Sequence, residues 1–354
     1  MARNKGAGFS IQGHATVLRI EHNRIADNAK WGIYLSSGCK PTVNGNLVTG
    51  NTAAGICVRN GATPTIERNE IRDGKASGIF VRSRAAGTIR NNHINNNACP
   101  GILIKTGAHP QVKDNVIEDG LSDGIYVCAG GEAKIVGNQI NRNLGEGVAI
   151  MNGAKVTLCD NAIHGGLRDG VYVSQAEATL RRNEIDSNKS CGVLIANGAN
   201  AKLEHNAICH NKHRGVVIVS GSTANLHQNT FACNIGSAVV LTDRARAMLK
   251  RNVLADGYSM GVFVTGQSRC TLLRNTICGH AKWGVYLDDG VRHKMIDNTI
   301  TNGLGGGLWA SVAVLHQALT QNTVRNNKPP ISEAADDSSD SSSDSDSSNL
   351  SDER

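Results

Sequence analysis

One residue recurs at a nearly fixed step through most of the chain. Asparagine stands at Asn23, Asn46, Asn69, Asn92, Asn115, Asn138 and Asn161, then at Asn183, Asn206, Asn229, Asn252, Asn275, Asn298 and Asn322. The step is 23 residues, shortened to 22 before Asn183 and lengthened to 24 before Asn322. A period on the order of 20–50 residues restricts a chain to a solenoid, a propeller or a repeat array.

The flanking positions repeat as well. An aliphatic residue follows two positions later (Ile25, Val48, Ile71, Ile94, Ile117) and another lies three positions earlier (Val43, Ile66, Ile89, Val112, Ile135). About nine positions later comes glycine, from Gly32, Gly55, Gly78 and Gly101 to Gly307, with Ala238 in its place once. A short β-like run such as Ile79-Phe80-Val81 follows each glycine. Each unit therefore holds three short strands and has no room for a helix. The reading is an all-β, single-stranded, right-handed parallel β-helix of about fourteen turns. With turns about 4.8 Å apart, the rod is on the order of 65 Å long. Stacked asparagine amides are expected to satisfy polar groups in the turns. The glycines are expected where the chain turns sharply.

An unbroken period implies one elongated domain. The expected division is a short lead at 1–8, the β-helix at 9–327 and a disordered acidic tail at 328–354. The irregular stretch from Gly303 to Gln321 reads as a terminal cap, and Pro329-Pro330 ends regular structure. The formal charge of +7 is unevenly split. Segment 332–354 holds eight acids against Arg354, a net −7, so the remainder carries +14. A basic rod with an acidic tail calls for an anionic partner, or for a tail that competes for the basic face. The tail's Ser-x-x-acid steps resemble acidophilic kinase sites.

Ten cysteines occupy differing repeat positions without a C-x-x-C, so neither a disulfide framework nor a zinc site is expected. His205, His210, His213 and His227 scatter around the rod, and no metal or cofactor is expected. The N-terminus lacks an apolar h-region and no run is long enough to span a membrane. These features place the chain in the cytoplasm or nucleus.

Strand side chains alternate inward and outward. The middle residue of the run after glycine faces outward, yet it is aromatic or aliphatic on turn after turn. Tyr34, Phe80, Tyr126 and Tyr172 recur every 46 residues, and Phe263, Tyr286 and Trp309 follow later. Such an exposed apolar ladder marks a binding surface. Beside it, Arg59, Arg82 and Lys105 on successive turns suit carboxylates or phosphates. Asp123, Glu146 and Asp169, just before three successive glycines, stack like charges about 5 Å apart. That spacing should raise a pKa or attract a cation, and it matches the two carboxylates of a retaining glycosidase.

Units such as Thr63-Pro64-Thr65-Ile66-Glu67-Arg68-Asn69-Glu70-Ile71-Arg72-Asp73-Gly74 and His109 to Gly120 alternate with units ending Asn97 or Asn143. This two-turn alternation resembles the β-helix of the F-box only proteins, substrate adaptors of cullin–RING ubiquitin ligases. More broadly the repeats resemble the carbohydrate-binding and sugar-hydrolase group, with its pectin-degrading enzymes and alginate epimerases. The chain carries no F-box or zinc finger, and the Asn-Thr-Asp, Gly-His-Gly and Asp-Pro-His-Asp motifs of the enzymes are missing. The first expectation is a non-catalytic protein-recognition rod in a ubiquitin-ligase pathway. It would bind a protein client or ligase subunits through Tyr34, Phe80, Tyr126, Tyr172, Arg59, Arg82 and Lys105. The alternative is a polysaccharide-active hydrolase, lyase or epimerase using Asp123, Glu146 and Asp169. Nucleic acid is not expected, because basic residues scatter over many repeat positions.

Overall fold

A computed structural model describes residues 1–13, 18–328 and 331–333, apart from the side chains of 312–314, 316–317 and 331–333. The tail expected at 328–354 lies outside these residues from 334 onward, as does Pro329-Pro330. The chain is a right-handed parallel β-solenoid of three sheets with 15, 13 and 14 strands. Each turn visits the sheets in the same order. Ile79–Val81 lies in the first, Thr88–Arg90 in the second and His93–Asn95 in the third, and Ile102–Lys105 then returns to the first. Equivalent residues pair directly in register, as in Ile79↔Ile102 and Ile94↔Ile117.

The inward residues fill one continuous core of Ile, Val, Leu and Ala. Ile66, Ile71, Ile79 and Ile102 are fully buried, and Phe231 is the largest side chain inside. The recurring asparagines form a hydrogen-bonded ladder between the second and third sheets. Asn92 donates through both its backbone N and its Nδ2 to Asn115 Oδ1, at 3.0 and 2.9 Å. Its Nδ2 also donates to Ile66 O at 3.0 Å, and its Oδ1 accepts the same pair of bonds from Asn69. The 22-residue step leaves the pattern intact, with Asn161 N donating to Asn183 Oδ1 at 3.0 Å. The shortening is taken up elsewhere. Two residues connect Val171–Ser174 to Glu177–Arg181, where three connect Val148–Met151 to Lys155–Cys159.

A second ladder lies between the third and first sheets. Asn28, Asn51, Asn97, Asn143, Asn188, Asn211 and Asn234 are buried there. Where a turn has glycine at this place, the next asparagine closes over it. Gly74 N and Gly120 N donate to Asn97 Oδ1 and Asn143 Oδ1 at 3.1 and 3.0 Å. A Cβ on Gly74 would stand 2.8 Å from Asn97 Oδ1. At Gly74–Asn97 and Gly120–Asn143 the two-turn alternation of the sequence is thus the packing of this corner, while Asn188, Asn211 and Asn234 bond directly to one another.

The glycines that follow each Asn by nine leave no room for a Cβ. They are not in the left-handed region; they are sites of close approach. A Cβ on Gly55 would meet Gly78 O and Ile71 Cγ2, both at 2.8 Å. At most turns the obstruction is the Cγ2 of a β-branched Ile about sixteen residues on. At Ala238 the corresponding residue is Leu254, whose methyls sit one atom further out, and an alanine fits.

The cap contains a feature the repeat did not predict. After Gly306–Ala310 on the first sheet, the helix Val312–Gln321 takes the place of a second-sheet strand. Leu315 and Ala318 are buried and pack into the end of the core. Strand Ile331–Glu333 then adds to the first sheet.

Candidate functional site

The outer face of the first sheet brings the ladder together. Tyr34, Cys57, Phe80, Leu103, Tyr126, Ala149 and Tyr172 pair in one unbroken register. The register continues through Leu194, Val217, Val240, Phe263, Tyr286 and Trp309. The tyrosines and Phe80 are half-buried, because outward side chains one turn apart pack on each other. The two ends of the ladder differ. Tyr286 and Trp309 stack face to face at 4.1 Å, and Phe263 leans on Tyr286 at 5.2 Å, so these rings use their faces on one another. At the other end small or aliphatic residues separate the aromatic turns, and Tyr34 packs on Trp31 at 4.7 Å.

Phe80 is flanked by cations. The Arg82 guanidinium lies 5.5 Å from its ring centre and Lys105 Nζ 5.4 Å. Arg59, Arg82 and Lys105 fall on consecutive turns, and among the described residues none of them makes an ion pair. The Nε atoms of Arg59 and Arg82 are buried without a hydrogen-bond partner. Cys57 sits among them, buried at 2% exposure. Burial pushes its thiol up to about 11, against the opposite pull of Arg82 and Arg59.

Asp123, Glu146 and Asp169 also stack, but each carboxylate is directed at the backbone of the next turn. Asp123 Oδ1 accepts from Glu146 N at 2.7 Å and Glu146 Oε2 from Asp169 N at 2.7 Å. Asp169 Oδ1 accepts from Cys191 N at 2.8 Å. Glu146 and Asp169 are buried and Asp123 is partly open. Burial pushes the Asp169 carboxyl above the usual range, opposed by Ser190, the Cys191 amide and His213. Desolvation, rather than the like-charge stacking expected of the column, is the main cause of this rise. The column is an edge cap of the first sheet in which only Asp123 has open access to solvent.

A shallow groove of about 540 Å³ runs along the second sheet, lined by Lys134, Lys155, Thr157, Glu177, Thr179 and Lys202 among others. It is not legible in the sequence, since polar residues at outward positions carry no positional signal. Among the described residues no cluster of His, Cys, Asp and Glu is arranged to hold a metal, and no helix is long and apolar enough to cross a membrane. His205 and His227 approach edge to face at 6.1 Å, while His210 Nδ1 lies 2.8 Å from Asp186.

Comparison with solved structures returns polysaccharide enzymes. A mutant of the periplasmic alginate epimerase AlgG aligns over 84% of this chain and 78% of that one, at 14% identity and a TM-score of 0.61. The unaltered AlgG aligns over 78% and 76%, at 12% identity and a TM-score of 0.57. No curated protein matches the chain. These likenesses concern the fold. They overturn the expectation of a ubiquitin-ligase adaptor with a protein client or ligase subunits as partner. The alternation that carried that resemblance is the glycine–asparagine packing of one corner, which any rod of this pitch can use. The cytoplasmic or nuclear placement is corrected as well, since the similar enzyme is periplasmic. Free cysteines do not report the compartment here. Cys39, Cys57, Cys128, Cys191 and Cys270 are buried, and burial pushes Cys191 and Cys270 up to about 12, where thiols are inert. The family described as "Right handed beta helix region" matches residues 7–163, 54–208, 147–277 and 191–349, and the chain belongs to that family.

Proposed function

We propose that this chain is a polysaccharide-recognising β-helix that takes an anionic glycan lengthwise on the outer face of the first sheet. The carrying observation is the column Arg59–Arg82–Lys105. Its cations lie on consecutive turns with no carboxylate partner among the described residues. A polymer with regularly spaced carboxylates supplies acceptors along such a column, and guanidinium groups bind them in a bidentate manner. Tyr34, Phe80, Tyr126 and Tyr172 offer apolar ring surface beside the charges, which suits the apolar faces of sugars. The fold likeness to alginate epimerases supports a glycan ligand, and with it a periplasmic or extracellular place of work.

Titration of the protein with polyuronate oligosaccharides and with a neutral glucan tests the reading. Binding is expected for the polyuronate alone, and it should weaken with salt. Arg82→Ala or Lys105→Ala is expected to weaken it about tenfold, a typical loss for one charge-assisted contact. Equal binding of the neutral glucan, or indifference to both substitutions, would sink the proposal. Product analysis of the same mixtures reads turnover. Glu146→Gln is the informative variant there, because it retains an acceptor for Asp169 N while removing the acid.

A further inference from the structure

The outward residues of the second sheet form vertical columns. In one of them Glu132, Lys155 and Glu177 face each other on consecutive turns, so the charges alternate. Lys155 Nζ lies 3.8 Å from Glu177. Neighbouring strands of this sheet neutralise each other elsewhere too, as in Arg90 with Glu67 at 2.6 Å and Arg181 with Glu204 at 2.7 Å. The column ends differently. Its last three members are Arg246, Arg269 and Arg292, in direct register. All three are exposed, and among the described residues none has an ion pair. Three guanidinium groups one turn apart, about 4.8 Å, repel one another. Exposed Lys294, two residues beyond Arg292, adds a fourth charge.

The chain itself holds acids that this column lacks. Segment 334–354 has seven acids against Arg354. The last described strand, Ile331–Glu333, sits on the first sheet at the same end of the rod. Twenty-one residues can span up to about 70 Å. The three arginines lie only two to four turns back, roughly 10–20 Å along the axis. The Arg59–Arg82–Lys105 column also makes no ion pair among the described residues, but it lies roughly 50–60 Å down the rod.

We propose that the acidic segment 334–354 lies along the Arg246–Arg269–Arg292 column as an intramolecular counterion. It neutralises the end of the second sheet and keeps external polyanions off it. Anionic ligands are then confined to the first-sheet face, far from the tail.

Zero-length carbodiimide coupling of the full-length protein, followed by peptide mass spectrometry, tests this. Carboxylates of the segment are expected to couple to Lys294 within one molecule, and the yield should collapse in high salt, where exposed pairs are screened. Replacing all three arginines, Arg246→Ser, Arg269→Ser and Arg292→Ser, is expected to lower the yield about tenfold, as for several weak exposed pairs acting together. The matching triple lysine variant keeps the charge and should preserve the Lys294 link. All three positions are exposed, so thermal melts should show the fold intact. Coupling spread evenly over remote lysines such as Lys75 and Lys113 would overturn the proposal. So would a yield unchanged by the serine variant, or coupling that forms mainly between isotopically distinct molecules in a mixture.

Discussion

In the first ladder, each asparagine from Asn46 to Asn298 donates from its N and Nδ2 and accepts at its Oδ1. Asn138 donates from N and Nδ2 to Asn161 Oδ1, and from Nδ2 to Val112 O at 3.1 Å. Its own Oδ1 accepts both bonds from Asn115. Asn138→Ala therefore leaves buried donors on Asn115 and a buried carbonyl on Val112 unpaired. The expected cost is about 3 kcal/mol or more, with hydrogen exchange faster at Asn115 and its neighbours than at distant turns. The glycine column supplies a second test. Gly101→Ala places a Cβ 2.6 Å from Ile117 Cγ2 and 2.8 Å from Gly124 O, and should destabilise by about 2–3 kcal/mol. Adding Ile117→Leu reproduces the Ala238–Leu254 pairing and should recover part of that loss, measured as a coupling energy in a double-mutant cycle.

His280 gives the pH test. It replaces asparagine in the second ladder and is fully buried; its Nε2 donates to Leu254 O at 3.1 Å, and its Nδ1 has no partner. Burial lowers its pKa from the ordinary 6.5. The unfolded chain then takes up a proton before the folded one does. This group's contribution is complete above about pH 6.5 and is lost as the pH falls below it. His293, also lowered by burial, acts in the same direction. Thermal midpoints of the native protein should drop between pH 7 and pH 5. His280→Asn, which restores the ladder chemistry, should reduce that drop, and an unchanged slope would refute the assignment. The first ladder was legible in the sequence because its residue never varies. The second was missed because glycine, asparagine and histidine share its positions, and only the geometry shows that they answer one another.

At the scale of the sheet, position in the repeat decided what could be read. Tyr34, Phe80, Tyr126 and Tyr172 were placed on one outer face by alternation alone, and the register puts them there. The orientation of the Asp123–Glu146–Asp169 column was not legible. A carboxylate before a glycine could equally face solvent, and it is the amide of the next turn that draws it inward. The column thus gives the first sheet an edge cap as well as candidate acids. Loss of binding on Arg82→Ala should be accompanied by little change in stability, since among the described residues Arg82 has no ion pair to lose and its contact with Phe80 is a single cation–π pair. A large fall in the melting midpoint would instead make the stripe structural. The helix Val312–Gln321 escaped the sequence reading for a related reason. Its residues sit where a strand was due, and the break in period at Asn322 marked an irregularity without giving its form.

For the whole molecule the period carried nearly all the information. A side chain's vertical neighbours are its sequence neighbours 23 away, so the core and the faces could be written down before any coordinates. What that arithmetic leaves open is chemistry, because a rod of identical turns positions many faces equally well. The short connection at Gln175-Ala176 shows where the arithmetic is forgiving. One residue fewer there disturbs neither the strands on either side nor the asparagines below. That corner is therefore a splice point. A short Gly-Ser insert after Gln175 should leave the unfolding free energy within about 1 kcal/mol of the parent's, whereas the same insert after Arg182 would unseat Asn183 and cost several times more. Foreign loops grafted at successive copies of this corner would project from one side of the shaft in a row, with the pitch of the rod as their ruler.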